Sequence, residues 1–197
     1  MEPLTAVSGR MAPLDRAHVD TDQIMPKQHL KRIERTGFGD LVFSDWRADP
    51  DFVLNRQRHA GATILVAGPN FGSGSSREHA AWGLQQYGFD AIIAPSFADI
   101  FRSNCAKIGL LTVVLSAERC GELIALATDQ PHVDIHIDVY EQSVRTPSWM
   151  EHFEMDRHTK RVLTKGLDSI DLILTQEGDI AGFEASRPSF LPVAASA

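Results

Sequence analysis

Short apolar runs and helically spaced clusters alternate along the chain, most cleanly in its middle. Residues 62–67 (ATILVA), 90–95 (DAIIAP) and 110–115 (LLTVVL) are apolar runs bounded by polar or turn-forming residues. Runs of that length read as buried strands. Between and after them, residues 76–86, 96–107 and 118–128 read as helices. Ala80, Ala81, Leu84 and Tyr87 sit close to helical spacing in the first, and Gly88 follows as a C-cap candidate. Ser96 is placed to cap the second, with Asp99 three residues on. Strand–helix repetition of this kind predicts parallel strands joined by right-handed crossovers.

The flanks are less regular. Residues 1–9 read as a frayed start or a first edge strand. Residues 19–26 (VDTDQIMP) form a polar turn in which Asp20 and Asp22 would bond nearby backbone or cap a helix. Residues 28–35 (QHLKRIER) predict one or two helical turns carrying Lys31, Arg32 and Arg35. That basic cluster is either a solvated face or a mobile loop that closes on an anion. Residues 36–39 mark a turn, 41–43 a short apolar element, 47–51 a loop, and 52–55 a short helix or strand. Residues 133–139 alternate strictly, as a half-exposed strand does. With 144–146 and 150–155 they predict an antiparallel hairpin region. Residues 156–166 read as a helix, 167–174 as the start of a last one, and 187–197 as a loose tail. With no repeat and no linker long enough to divide the chain, residues 1–197 read as one α/β domain.

Composition narrows the partners. The 197 residues are 43% hydrophobic and 23% charged, and the formal net charge is −7. An acidic chain does not suit a nucleic-acid partner, which calls for a basic face. The longest apolar runs fall short of a membrane span, and residues 1–13 lack the pattern of a signal peptide. Cys105 and Cys120 are the two cysteines, and they lack CxxC spacing. Two free thiols suit a reducing cytoplasm.

Candidate chemistry concentrates in residues 68–80 (GPNFGSGSSREHA), the turn between the 62–67 strand and the following helix. Glycines allow positive φ and close approach to a ligand. A helix N-terminus attracts anions, and the Arg77 fork matches a carboxylate or phosphate. Three common motifs fail here. Arg77 replaces the third glycine of GxGxxG, no lysine follows for a phosphate loop, and no GxSxG pentad occurs. Ser75 and Glu78 do fit the S-x-x-E capping box, in which Ser75 would cap the helix and do no chemistry. Glu78 could equally pair with Arg77 or His79 at the surface. Three glycines, three serines, an asparagine and an arginine in one turn exceed what a cap needs.

The run Asn70-Phe71-Gly72-x-Gly74-Ser75-Ser76-Arg77-Glu78-His79-Ala80 resembles the small-subunit side of the aconitase superfamily. Segments 19–24, 30–32, 35–39, 51–55, 87–89, 92–101, Asn104 and 166–170 extend the resemblance, in order, toward the isopropylmalate branch. The resemblance implies a swivelling β/β/α domain with a mixed sheet. It implies a large partner subunit whose own cysteines hold a four-iron four-sulfur cluster, with no cofactor bound by this chain. It implies dehydration and rehydration of a substituted malate in leucine biosynthesis, in the cytoplasm. By the motif, Ser75 would be the general base, and Ser76 and Arg77 would bind a substrate carboxylate. Lys31 and Arg32 would lie near the substrate's variable group. Asn70, Gly72, Gly74, Glu78, His79, Asp20, Thr21 and Asp22 would support the motif. His18 and His29 depart from the family pattern, which commonly has asparagine and an aromatic there. Two other readings stay open: a related hydro-lyase acting on a dimethylmalate or citramalate type of acid, and an anion-binding or assembly module without catalysis.

Overall fold

The structure, a computed structural model, describes residues 1–31 and 34–188. Arg32 and most of the expected tail lie outside the described residues. Among the described residues seven strands follow in chain order: β1 (Ala6–Leu14), β2 (Ile64–Ala67), β3 (Ala91–Ala94), β4 (Leu111–Val114), β5 (Asp134–Asp138), β6 (Ser143–Arg145) and β7 (Met150–His152). They form one sheet in the order β4-β3-β2-β1-β5-β6-β7. The β1–β2, β2–β3 and β3–β4 pairs are parallel, and β1–β5, β5–β6 and β6–β7 are antiparallel. The expected α/β architecture with a mixed sheet is therefore present, with the hairpin region at one end.

The role of β1 differs from expectation. It is neither frayed nor an edge, because its two halves serve two neighbours. Residues 11–14 pair with β2 and residues 6–10 with β5. Arg10 and Pro13 break its apolar pattern, which hides the strand in the sequence. Gly9 is required where the strands crowd: a Cβ there would stand 2.1 Å from Thr63 Oγ1.

Among the described residues seven helices accompany the sheet: α1 (Thr21–Ile24), α2 (Glu78–Tyr87), α3 (Asp99–Ile108), α4 (Ala117–Asp129), α5 (Arg157–Lys165), α6 (Ser169–Leu174) and α7 (Glu177–Ala185). Strand side chains alternate between two cores, as a period of two requires. Leu65, Ala67, Ile92 and Ala94 join a cluster with Ala80, Ala81 and Leu84 of α2 and Phe101 and Cys105 of α3. Ile64, Val66, Ala91 and Ile93 join another with Cys120, Leu123 and Ala127 of α4 and Leu163 of α5. Gly88 ends α2 in the left-handed region at φ 115°, as a C-cap glycine should. Among its described residues the β1–β2 crossover contains no long helix. After α1 it runs through five 3₁₀ turns between Lys27 and His59, and aromatic packing anchors it, with Phe43 stacked on Trp46 at 5.2 Å. No helix among the described residues is long and apolar enough to cross a membrane.

The two cysteines belong to different cores, one on each face of the sheet. Burial pushes the Cys105 thiol well up, and it raises Cys120 to about 11. Only the thiolate reacts readily. Both thiols should therefore resist an aromatic disulfide reagent at pH 8 in the native protein and react quickly in denaturant. Stoichiometric labelling of the native chain would contradict this packing.

Candidate active site

The loops that follow the carboxyl ends of β1, β2 and β3 meet at one edge of the sheet, where open α/β sheets bind ligands. The glycine-rich loop is the middle one, and backbone bonds join it to both neighbours. On the β1 side, Gly68 N donates to Arg16 O (3.1 Å), His18 N to Pro69 O (2.8 Å), Gly72 N to Val19 O (2.7 Å) and Thr21 N to Ser73 O (2.9 Å). On the β3 side, Phe71 N donates to Ser96 O and Ala98 N to Phe71 O, both at 3.0 Å. Asn70 N donates to Ser96 Oγ at 2.8 Å. Ser96 is thus an anchor for the loop. The N-cap of α3 is Ala98, which makes no side-chain cap bond, so the expected Ser96 cap is not formed.

Gly72 carries the tightest contact. Its φ is +74°, and a Cβ there would stand 2.2 Å from Phe101 Cγ. The loop therefore lies directly on the ring of α3, and Phe71 packs on the same ring at 5.5 Å between centroids. Asn70, also at positive φ (58°), pairs its side-chain amide with His18 Nδ1 at 3.0 Å.

Past Gly74 the chain presents Ser75 and Ser76 to solvent. The S-x-x-E pattern does not close into a capping box. The N-cap of α2 is Arg77, and it makes no side-chain cap bond. Ser75 instead meets Thr21, whose side chain is 1% exposed. Thr21 Oγ1 lies 3.1 Å from Ser75 Oγ and donates to Ser75 O at 3.2 Å. The main-chain carbonyl of Ser76 accepts from Asn104 Nδ2 at 3.3 Å, so α3 holds this part of the loop as well.

Asp20 and Asp22 separate into two roles. Asp20 caps α1 in a reciprocal capping box with Gln23, the turn-forming role expected for it. Asp22 reaches across to Arg77 and forms an ion pair. With side-chain exposures of 27% and 51%, that pair is screened by water and worth about 1 kcal/mol or less. A ligand carboxylate that engages the guanidinium fork can therefore share or displace Asp22.

The other motif residues are supports. Glu78 pairs with Lys107 of α3 at 3.8 Å. His79 sits among rings, 5.3 Å from Phe38 and 4.8 Å from Trp82 between centroids. Lys31 is exposed at the end of the Lys27–Lys31 turn. Among the described residues no hydrogen bond or ion pair joins Lys31 to the glycine loop. The Thr21–Ser75 contact was not legible in the sequence; its one signal was a polar turn directly after a strand end. The cysteines, buried on opposite faces, do not converge on a common ion. Among the described residues no three His, Cys, Asp or Glu side chains stand together as metal ligands.

A parallel-then-antiparallel sheet with a glycine–serine–arginine loop on its carboxyl edge defines the class. The sequence matches the aconitase C-terminal domain over residues 1–118, and the chain belongs to that family. Within it, the chain falls among the 3-isopropylmalate dehydratase small subunits. It is 54% identical to that of a Parafrankia species, covering 99% of this chain and 100% of the relative. It is 50% identical to that of Rubrobacter xylanophilus, covering 98% of each. The fold also matches a crystal structure of 3-isopropylmalate dehydratase from Methanocaldococcus jannaschii. The TM-score is 0.63 at 23% identity, covering 90% of this chain and 98% of that one.

Positive φ and the Phe101 contact together make Gly72→Ala costly. It should destabilise the chain by about 2–4 kcal/mol, read from chemical denaturation. A loss below half a kcal/mol would mean that the loop does not rest on the ring.

Proposed function

We propose that this chain is the small subunit of a 3-isopropylmalate dehydratase and supplies the proton-transfer half of its site. The reaction takes water from 2-isopropylmalate to give 2-isopropylmaleate, then adds it back in the opposite sense to give 3-isopropylmalate. The reading places the chain in leucine biosynthesis in the cytoplasm, where its two free thiols stay reduced. One observation carries the chemical part: an exposed Ser75 hydroxyl backed by a buried hydroxyl and set two residues from Arg77.

In this reading Ser75 removes the carbon-bound proton next to the carboxylate and returns a proton to the neighbouring carbon during rehydration. A neutral serine is a weak base, so its anionic form needs donors and positive charge close by. Arg77 holds a substrate carboxylate through its fork, and the Ser76 hydroxyl takes a second oxygen. Asp22 keeps the guanidinium in place until substrate arrives. A large partner subunit would hold the four-iron four-sulfur cluster, which would supply Lewis acidity toward the leaving hydroxyl. Lys31 would contribute to binding the substrate from the turn that ends with it.

The test is reconstitution with a 3-isopropylmalate dehydratase large subunit under anaerobic conditions, following the absorbance of 2-isopropylmaleate. Turnover that requires both chains is the expected result. Turnover of only another substituted malate would replace the substrate, and binding without turnover of any would leave a non-catalytic module. Ser75→Ala should lower kcat by about 10²–10⁴-fold with assembly intact. A near-normal rate would remove Ser75 as the base. Arg77→Lys keeps the charge but loses the fork, so it should raise KM far more than it lowers kcat. The opposite split would place Arg77 in the chemical step.

A further inference from the structure

We propose that Thr21 is the positioning residue for Ser75: its hydroxyl aims the serine oxygen while Ser75 is neutral and donates to that oxygen once it is an alkoxide. The inference rests on Ser75 being the base and adds the group that makes a serine competent for that task.

A threonine hydroxyl carries one proton and two lone pairs. Two acceptors of Ser75 stand within reach of that proton, the main-chain oxygen at 3.2 Å and Oγ at 3.1 Å. With Ser75 neutral, Thr21 donates to the carbonyl and accepts the Ser75 proton. Both bonds are satisfied, and the remaining lone pairs of Oγ point away from Thr21. When Ser75 ionises, its proton leaves to the solvent that its exposed side chain faces, and its oxygen has no proton left to give. Rotation of the Thr21 hydroxyl then turns its proton from the carbonyl onto the alkoxide. No heavy atom moves.

The side chain is built for this. Thr21 is 1% exposed between Val19 and Ile24, which are fully buried. Its main chain is held at both ends, with N donating to Ser73 O and O accepting from Met25 N, each at 2.9 Å. A buried position beside such neighbours suits valine on packing grounds, and an unbonded hydroxyl there is costly. Among the described residues the hydroxyl finds its hydrogen-bond partners in Ser75. Arg77, the nearest cation in the sequence, is engaged by Asp22. Thr21 is therefore the donor that directly contacts the Ser75 oxygen, and it is fixed before any charge develops.

The experiment uses the reconstituted two-subunit enzyme carrying Thr21→Val or Thr21→Ser. Thr21→Val should lower kcat about 10²-fold, the scale for losing one donor to a developing anion, with KM nearly unchanged. The limb of the kcat/KM profile set by the free-enzyme base should move to higher pH. Thr21→Ser, which restores the hydroxyl, should recover most of the rate and the original limb. Melting temperature and affinity for the large subunit should match wild type in both variants. Wild-type kcat in Thr21→Val overturns the proposal. So does a loss that serine does not rescue, or one that comes with weakened assembly and an unmoved pH limb, since either marks a packing role. Failure of the parent reading looks different: wild-type enzyme inactive on every substituted malate, or Ser75→Ala near full rate.

Discussion

Close approach of the glycine-rich loop to α3 is the constraint on which the rest of the site depends. Without a Cβ at Gly72, the loop settles on the Phe101 ring and stays within bonding distance of the loops on both sides. Isolated bridges Asp20↔Ser73 and Phe71↔Phe97 then extend the sheet's parallel pairing beyond the strands themselves. The result is a loop bonded on both sides as a strand is, and such support holds a hydroxyl in one place.

From that frame the polar chemistry follows. The loop after β1 comes alongside the glycine loop in a register that puts Thr21 under Ser75 and Asp22 opposite Arg77. A hydroxyl pair faces solvent on one side, and a screened ion pair stands next to it. Neither is strong by itself. Together they offer an oxygen that can carry charge and a guanidinium that can trade one carboxylate for another. In the proposed reaction they would serve as the base and the carboxylate clamp. The departing hydroxyl needs an electrophile, and the side chains described here do not build one. In the proposed reaction that electrophile belongs to the large subunit.

The parallel strands and their helices were legible because a strand buried on both faces leaves an uninterrupted apolar run, and α2 to α4 show helical spacing with clear stops such as Gly88. The first strand was not, since Gly9, Arg10 and Pro13 interrupt it for reasons that lie in its neighbours. The five 3₁₀ turns of the β1–β2 crossover left no periodic signal. Ser96 looked like a helix cap and Ser75 like half of a capping box, both plausible on local spacing. In each case another loop offered the serine a partner: Asn70 for Ser96 and Thr21 for Ser75. Local capping lost to tertiary hydrogen bonding.

Alone, the sequence determined the fold class, the order of the central elements, the family and the stretch where chemistry concentrates. The fold class and element order follow from periodicity, the stretch from a dense run of glycine, serine and arginine, and the family from the resemblance that this run and its flanking segments carry. Only the tertiary structure decided what Ser75 and Arg77 touch, because their partners lie 54 and 55 residues away in the chain. No spacing rule reaches that far. Pairing of β1 with β2 brings the two loops to one edge, and the bare backbone of Gly72 lets the middle loop sink until a buried threonine meets an exposed serine.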